Sequence, residues 1–130
     1  MKKLTAFHLS EAAERSFGYA QAVRDGDRLY VSGTLSIDDA FAPIAPGDMR
    51  GQLEQIYGRI ARTLKAHGVG FEAVIKETVF VTDMDAMLGA NDVRVRTYGA
   101  HAPACTVVEV KRLAFAPCMA EIELVASLPG

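Results

Sequence analysis

The residues best suited to chemistry lie near the end of the chain, where two carboxylates follow two cysteines. Glu121 and Glu123 occupy alternate positions of a β-like run in which Ile122 and Leu124 point the other way. From this alternation alone, both carboxylates are solvated groups on an exposed sheet face. In a semi-apolar cleft, desolvation would raise the pKa of such a group, which suits general acid–base catalysis near neutral pH.

The two cysteines, Cys105 and Cys118, are too few for a disulfide framework, and in a reducing compartment both would be thiols. Cys105 begins a β-like run, where a small half-buried residue is the ordinary interpretation. A reactive thiolate there would need a neighbouring base or cation. A redox-sensitive contact with Cys118 is a third interpretation, because the strands that follow the two cysteines are expected to be neighbours.

Two further residues, Ser32 and Tyr19, could contribute to a site. Ser32 is flanked by Val31 and Gly33 without a nucleophile-elbow pattern, so hydrogen bonding at a strand end is its expected role. Tyr19 either donates to a ligand or packs as an ordinary strand aromatic. No metal site is expected, since the histidines have no ligand spacing and lie far apart, at His8, His67 and His101.

Composition restricts the function classes. The chain has 130 residues, enough for a core, and we expect one domain over residues 1–130. Half of the residues are hydrophobic, which argues against disorder. A net charge of −2 with scattered basic residues argues against binding to nucleic acid or to an anionic membrane. No apolar run suits a membrane span or a signal peptide, so a cytoplasmic location is expected.

The first half of the chain predicts a hairpin and a long helix. Residues 19–24 and 28–32 flank an Asp-Gly pair, whose glycine allows the positive φ of a tight turn. Asp48 is a suitable N-cap for a helix that ends at Gly68. Its apolar stripe has three- and four-residue spacing and consists of Leu53, Ile56, Tyr57, Ile60 and Leu64.

The second half predicts a strand over 74–82, a helix capped by Asp83 or Asp85 that ends at Gly99, and closing strands over 106–113 and 119–126. The resulting order, β-β-α-β-α-β-β, indicates an α+β fold with a mixed sheet and two helices on one face. Because no further helix is predicted to cover the other face, we expect self-association through it.

Several short segments, by their order and spacing, make the chain similar to the Rid/YjgF family, also called endoribonuclease L-PSP. They are residues 19–23 (YAQAV), 29–33 (LYVSG), 79–84 (VFVTDM), 103–104 (PA), 108–110 (VEV), 112–113 (RL) and 121–123 (EIE), together with Asn91. The resemblance implies a chorismate-mutase-like subunit that assembles as a homotrimer, with ligand clefts between neighbouring subunits.

The resemblance also implies an activity. Family members with the full motif hydrolyse reactive enamines and imines, such as 2-aminoacrylate, to ammonia and a 2-keto acid without a metal or an organic cofactor. The cleft residues correspond here to Tyr19, Ser32 with its neighbour Gly33, and Asn91. The glutamate that handles water or a proton corresponds to Glu121.

The family's carboxylate-binding arginine falls at Cys105, and a thiol cannot form the two parallel hydrogen bonds of a guanidinium. A smaller departure is a turn one residue longer before Glu121. We therefore expect a Rid-type hydrolase with altered substrate preference, in which Cys105 is either a neutral pocket wall, the favoured interpretation, or a catalytic thiol. A non-catalytic trimer that binds a small ligand is the alternative. Ribonuclease or translation-inhibitor activity is least supported, because the chain lacks a basic stripe.

Overall fold

Residues 3–130 are described by a computed structural model, in which one six-stranded sheet carries the fold. The strands are β1 (Leu4–Phe7), β2 (Ala22–Asp25), β3 (Arg28–Leu35), β4 (Val74–Val81), β5 (Ala104–Glu109) and β6 (Ala120–Ser127). The helices are α1 (Glu11–Phe17), α2 (Met49–Lys65), α3 (Met84–Gly89) and α4 (Asp92–Tyr98), with a 3-10 turn at Phe71–Ala73. No helix within residues 3–130 is long and apolar enough to cross a bilayer.

The sheet is mixed, as predicted. Its order is β1-β2-β3-β6-β4-β5; β4 and β5 are parallel and the other neighbours are antiparallel. The β2–β3 hairpin is confirmed, with Gly26 at a φ of 61° in its turn, although its first strand begins at Ala22 rather than at residue 19. The expected α+β class is therefore confirmed.

Helix α2 is the element best described by the sequence. The Asp48 carboxylate accepts a hydrogen bond of 3.0 Å from the Gly51 amide, which confirms the predicted N-cap. The predicted apolar stripe is at most 4% exposed throughout and forms the centre of the core. The helix ends at Lys65, and Gly68 adopts a φ of 75° in the turn that follows.

Alternate side chains of strand β6 point to opposite faces of the sheet. Ile122 and Leu124 are 0% and 3% exposed in the core that α2 covers. Glu121 and Glu123 alternate with them and therefore point to the opposite face, as predicted. This opposite face also carries Tyr30, which is 49% exposed.

Two N-terminal elements, β1 and α1, were not predicted. Strand β1 lies at the sheet edge with mostly exposed side chains, so it has no apolar alternation to reveal it. Helix α1 depends on a fully buried carboxylate, Glu14, which accepts hydrogen bonds from the amides of Leu9, Ser10 and Gln21. Contacts that join separate segments in this way leave no local periodicity to detect.

The predicted second helix is two helices. Asp83 is its N-cap and accepts from the Ala86 amide at 3.0 Å, whereas Asp85 lies within the first turn of α3. The helix then breaks at Ala90 and Asn91 before α4 begins.

The prediction that the two closing strands are neighbours is wrong. Strand β5 lies at the sheet edge beside β4, and β6 lies between β3 and β4. The crossover through α3 and α4 places β5 parallel to β4, which leaves the other side of β4 for β6. Cys105 and Cys118 are therefore separated by β4 and are both free thiols.

A buried carboxylate joins the central sheet to two helices. Glu77 of β4 is 0% exposed and accepts hydrogen bonds from the Tyr57 hydroxyl of α2 at 2.5 Å and from Arg94 Nη2 of α4 at 2.6 Å. The Arg94 side chain is 13% exposed. Because a buried charge is costly without compensation, Glu77 depends on both partners.

Arg94→Met should therefore lower the free energy of unfolding by about 3–5 kcal/mol, since it leaves the Glu77 carboxylate buried without its counter-charge. Urea denaturation measures this loss. Arg50→Met removes an exposed pair with Asp92 and should cost less than about 1 kcal/mol. The double variant Glu77→Gln/Arg94→Met should recover most of the stability. Equal losses of stability in Arg94→Met and Arg50→Met would contradict the assignment.

Candidate functional site

A cavity of about 250 Å³ collects four of the predicted site residues. Tyr19, Ser32, Gly33 and Glu121 line it. The rest of its wall is apolar and consists of Phe17, Leu35, Phe41, Ala114 and Phe115. The cavity therefore combines one carboxylate with an aromatic wall.

A β-bulge shapes the floor of this cavity. Val31 pairs with Leu124 and Thr34 pairs with Ile122, so three residue steps on β3 face two steps on β6. The extra residue lies in the Ser32–Gly33 segment, where the strand bends next to Glu121. Bulges redirect side chains and occur often beside functional sites, and this one lies next to Glu121 in the cavity wall.

Ser32 positions the cavity wall. Its hydroxyl donates to the carbonyl of Ala20 at 2.6 Å, and its amide donates to the carbonyl of Gln21 at 2.9 Å. The hydroxyl proton is thereby engaged in holding the segment that carries Tyr19. This geometry agrees with the predicted role in hydrogen bonding and does not prepare Ser32 as a nucleophile.

The lack of a side chain at Gly33 leaves room for the Glu121 carboxylate. A Cβ added to Gly33 would overlap Glu121 Oε2. The φ of Gly33 lies outside the left-handed region, so the glycine is required for space rather than for an unusual backbone conformation.

Two residues of the cavity, Glu121 and Tyr19, have raised pKa values. Burial raises the pKa of Glu121, and the charge of Glu123 raises it further. Burial also raises the pKa of Tyr19, with a contribution from the charge of Glu14. Because its pKa lies above the ordinary tyrosine value, the Tyr19 hydroxyl is a proton donor at neutral pH in the lining of this cavity.

The three phenylalanines of the wall were missed by the sequence analysis. Their ring centroids lie 5.4 Å apart for Phe17 and Phe41, 6.1 Å for Phe17 and Phe115, and 6.2 Å for Phe41 and Phe115. Phe41 lies in the segment between β3 and α2, and Phe115 lies in the segment between β5 and β6, where no helix or strand has an apolar pattern to reveal them. A large aromatic side chain in a Gly- and Pro-rich loop was the signal that could have identified them.

Cys105 and Asn91 lie outside this cavity. The register of β4 and β5 pairs Cys105 with Glu77, so the thiol faces the helix side of the sheet, opposite to Glu121. It lines a second cavity of about 230 Å³ with Arg94, among other residues. Asn91 also adjoins Arg94, which donates to its side-chain oxygen at 3.5 Å.

The surroundings of Cys105 oppose ionisation of its thiol. Although the residue is exposed in the single chain, partial desolvation raises the pKa of Cys105, and the Glu77 carboxylate raises it further, against smaller opposing effects of Arg94 and Lys76. Although Arg94 borders the same cavity, its guanidinium is held by Glu77. These contacts favour a neutral wall over a nucleophile. Among the described residues, no group of three or more His, Cys, Asp or Glu side chains could hold a metal ion.

The raised pKa of Glu121 predicts a pH-dependent stability effect. The protonated form is favoured by the fold, so its contribution is present below the ordinary glutamate pKa and is lost as pH rises through the raised value. Glu121→Gln, which is neutral at every pH, should raise Tm by about 1–3 °C at pH 7 and by less at pH 4. Thermal denaturation of both proteins across this range measures the difference.

Glu123→Gln is the matched control, because Glu123 lies on the same face of the same strand and is exposed. Its gain at pH 7 should be smaller than that of Glu121→Gln. A gain that is equal in the two variants, or that does not change with pH, would contradict the burial of Glu121.

Comparison with known proteins identifies the family of the chain. The model of the family named endoribonuclease L-PSP matches residues 10–128. A RutC family protein of Pyrococcus horikoshii is 35% identical over 118 residues, covering 90% of this chain and 93% of the relative. A 2-iminobutanoate/2-iminopropanoate deaminase of Capra hircus is 33% identical over 95 residues, covering 73% of this chain and 69% of the relative.

Solved structures are similar over nearly the whole chain. A YjgF-family protein of Mycobacterium tuberculosis superposes with a TM-score of 0.83 at 26% identity, covering 97% of this chain and 100% of that one. RidA of an Antarctic Psychrobacter has a TM-score of 0.79 at 30% identity, covering 85% and 89%. The chain thus belongs to the endoribonuclease L-PSP family, which is the Rid/YjgF family.

Proposed function

We propose that the protein is a Rid-type hydrolase that deaminates a small reactive imine or enamine, with Glu121 as its acid–base group. One observation carries the proposal: a carboxylate with a raised pKa lies in the cavity that also contains Tyr19, Ser32 and Gly33. The activity in the name of the Capra hircus relative supports the same class of reaction.

The chemistry needs one group that takes and returns a proton. Glu121 would accept a proton from water as the oxygen adds to the imine carbon, while the C=N π electrons move to nitrogen. The protonated Glu121 would then give its proton to that nitrogen. This gives a carbinolamine. Glu121 would next take the proton of the carbinolamine hydroxyl and pass it to the nitrogen as the C–N bond breaks, so that ammonia leaves, the carbonyl forms and the carboxylate is regenerated. A carboxyl group with a raised pKa is suited to both steps at neutral pH.

We further propose that the working site lies between subunits of a homotrimer. Within one chain, Cys105 and Glu121 point to opposite faces of the sheet and line different cavities. A neighbouring subunit is therefore needed for the two cavities to meet. The exposure of Tyr30 on the face opposite α2 supports self-association through that face.

The substrate should differ from the 2-imino acids that the family resemblance implies. Cys105 offers no positive charge, and the adjacent Arg94 is held by the buried Glu77 at 2.6 Å. Loss of a charge-assisted contact to a carboxylate costs about 2–5 kcal/mol when it leaves a charge unpaired.

We expect slow native hydrolysis of 2-iminopropanoate and a gain of tenfold or more in kcat/KM for Cys105→Arg, because the new guanidinium can pair with the substrate carboxylate. Ammonia release from imino acid generated in situ measures both rates. Cys105→Ser, which adds no charge, is the control. Rapid native turnover that Glu121→Gln abolishes would show that another cation serves and would refute the substrate argument.

With an imine that the native protein does hydrolyse, Glu121→Gln should lower kcat by about 10²-fold or more, because it removes the acid–base group. Gly33→Ala should lower kcat at least tenfold with little change in Tm, because its methyl group displaces a flexible carboxylate rather than the backbone. Gly58→Ala, where an added Cβ meets open space within α2, is the matched control. Unchanged kcat in both site variants would contradict the assignment.

The alternative function, binding of a small ligand without turnover, is separated by the same compounds. Thermal stabilisation by a ligand with no product over hours would favour it over the hydrolase.

A further inference from the structure

We propose that the Glu121 cavity recognises an organic cation, an ammonium or protonated imine that carries a small apolar substituent and no carboxylate. This inference names a ligand class for the site of the proposed function. Turnover of such a ligand depends on the proposed function, whereas binding of the ligand does not.

The wall of the cavity is suited to a cation. Phe17, Phe41 and Phe115 form a mutually contacting cluster, and the Tyr19 ring lies 6.4 Å from that of Phe41. The faces of aromatic rings carry negative partial charge and attract ammonium groups within about 6 Å of the ring centroid. Four rings beside one carboxylate provide this attraction together with an apolar surface for the substituent.

The charge of the cavity has one sign. Glu121 is its acidic residue, and none of the nine lining residues is Lys, Arg or His. The basic group that acts most strongly on Tyr19 is Arg59, which is 4% exposed and donates to the Ile37 carbonyl and to Asp39. A ligand carboxylate would therefore meet Glu121 without a compensating cation.

The position of Phe41 is enforced by its loop. Phe41 has a φ of 64°, which is uncommon for a bulky side chain. The Asp38 carboxylate stabilises this conformation by accepting hydrogen bonds from the amides of Ala40 and Ala42 at 2.8 and 2.9 Å. A loop that holds an aromatic side chain in a costly conformation against a cavity is consistent with a ligand contact.

The second cavity does not supply the missing charge. Cys105 is neutral, Arg94 is paired with Glu77, and His101 Nε2 lies 2.7 Å from the Val74 carbonyl. If this cavity of a neighbouring subunit completes the site, as proposed above, neither of the two linings brings an unpaired guanidinium to a carboxylate. A lining with one carboxylate and no basic residue would thus both exclude ligand carboxylates and attract cations.

Three probes of similar shape test the ligand class: benzylammonium, benzyl alcohol and benzoate. Isothermal titration calorimetry of the full chain at neutral pH should show benzylammonium binding about five- to thirtyfold more tightly than benzyl alcohol. Benzoate should bind most weakly. Benzoate that binds as tightly as benzylammonium, or no binding of benzylammonium, would overturn the proposal.

Variants separate the aromatic contribution from general apolar contact. Phe17→Leu removes a ring whose residue is 63% exposed, so the fold should tolerate it. It should weaken benzylammonium severalfold and benzyl alcohol less. Glu121→Gln should also weaken benzylammonium and should strengthen benzoate. Phe7→Leu, on β1 and outside the cavity wall, is the matched control. Equal weakening of benzylammonium and benzyl alcohol by Phe17→Leu would contradict a cation–π contact.

The outcomes also separate this inference from the proposed function. Binding of benzylammonium with no turnover of any imine would leave the cation site standing and refute the hydrolase. Rapid turnover of 2-iminopropanoate with no preference for benzylammonium would support the hydrolase and refute the cation site.

Discussion

The buried carboxylate of Glu77 is the constraint on which much of the structure depends. It lies on a central strand and requires Tyr57 from α2 and Arg94 from α4, so it fixes both helices against the sheet. It also stands opposite Cys105 in the register of β4 and β5. Its negative charge raises the pKa of the Cys105 thiol. It also pairs with Arg94, whose side chain borders the Cys105 cavity. An interaction that stabilises the fold thereby determines the chemistry of the second cavity.

The other cavity depends on a small backbone irregularity. The bulge in β3 places Gly33, which has no side chain, beside the Glu121 carboxylate. Burial then raises the pKa of Glu121. The buried carboxylate lowers the stability of the fold, but its raised pKa suits the proposed acid–base role. The two cavities lie on opposite faces of the sheet. The two cavities of one chain therefore cannot meet, and a shared site would need a second subunit.

The elements that the sequence predicted well are those stabilised by their own pattern. Helix α2 has a cap, an apolar stripe and a glycine beyond its end, and all three are present in the structure. Helix α1 and strand β1 were missed because a single carboxylate, Glu14, and an edge pairing hold them. The helix after β4 was predicted as one because its apolar residues continue across the break at Ala90 and Asn91.

For the site, the sequence alone determined the family resemblance, the residue types at Tyr19, Ser32, Gly33 and Glu121, and the substitution at Cys105. Those features are local, since they depend on which residue stands at which position. Only the tertiary structure decided that three phenylalanines from distant segments join this group, and that Cys105 faces Glu77 instead of Glu121. Such convergence depends on strand order, register and a bulge, which long-range packing selects and no short stretch of sequence encodes.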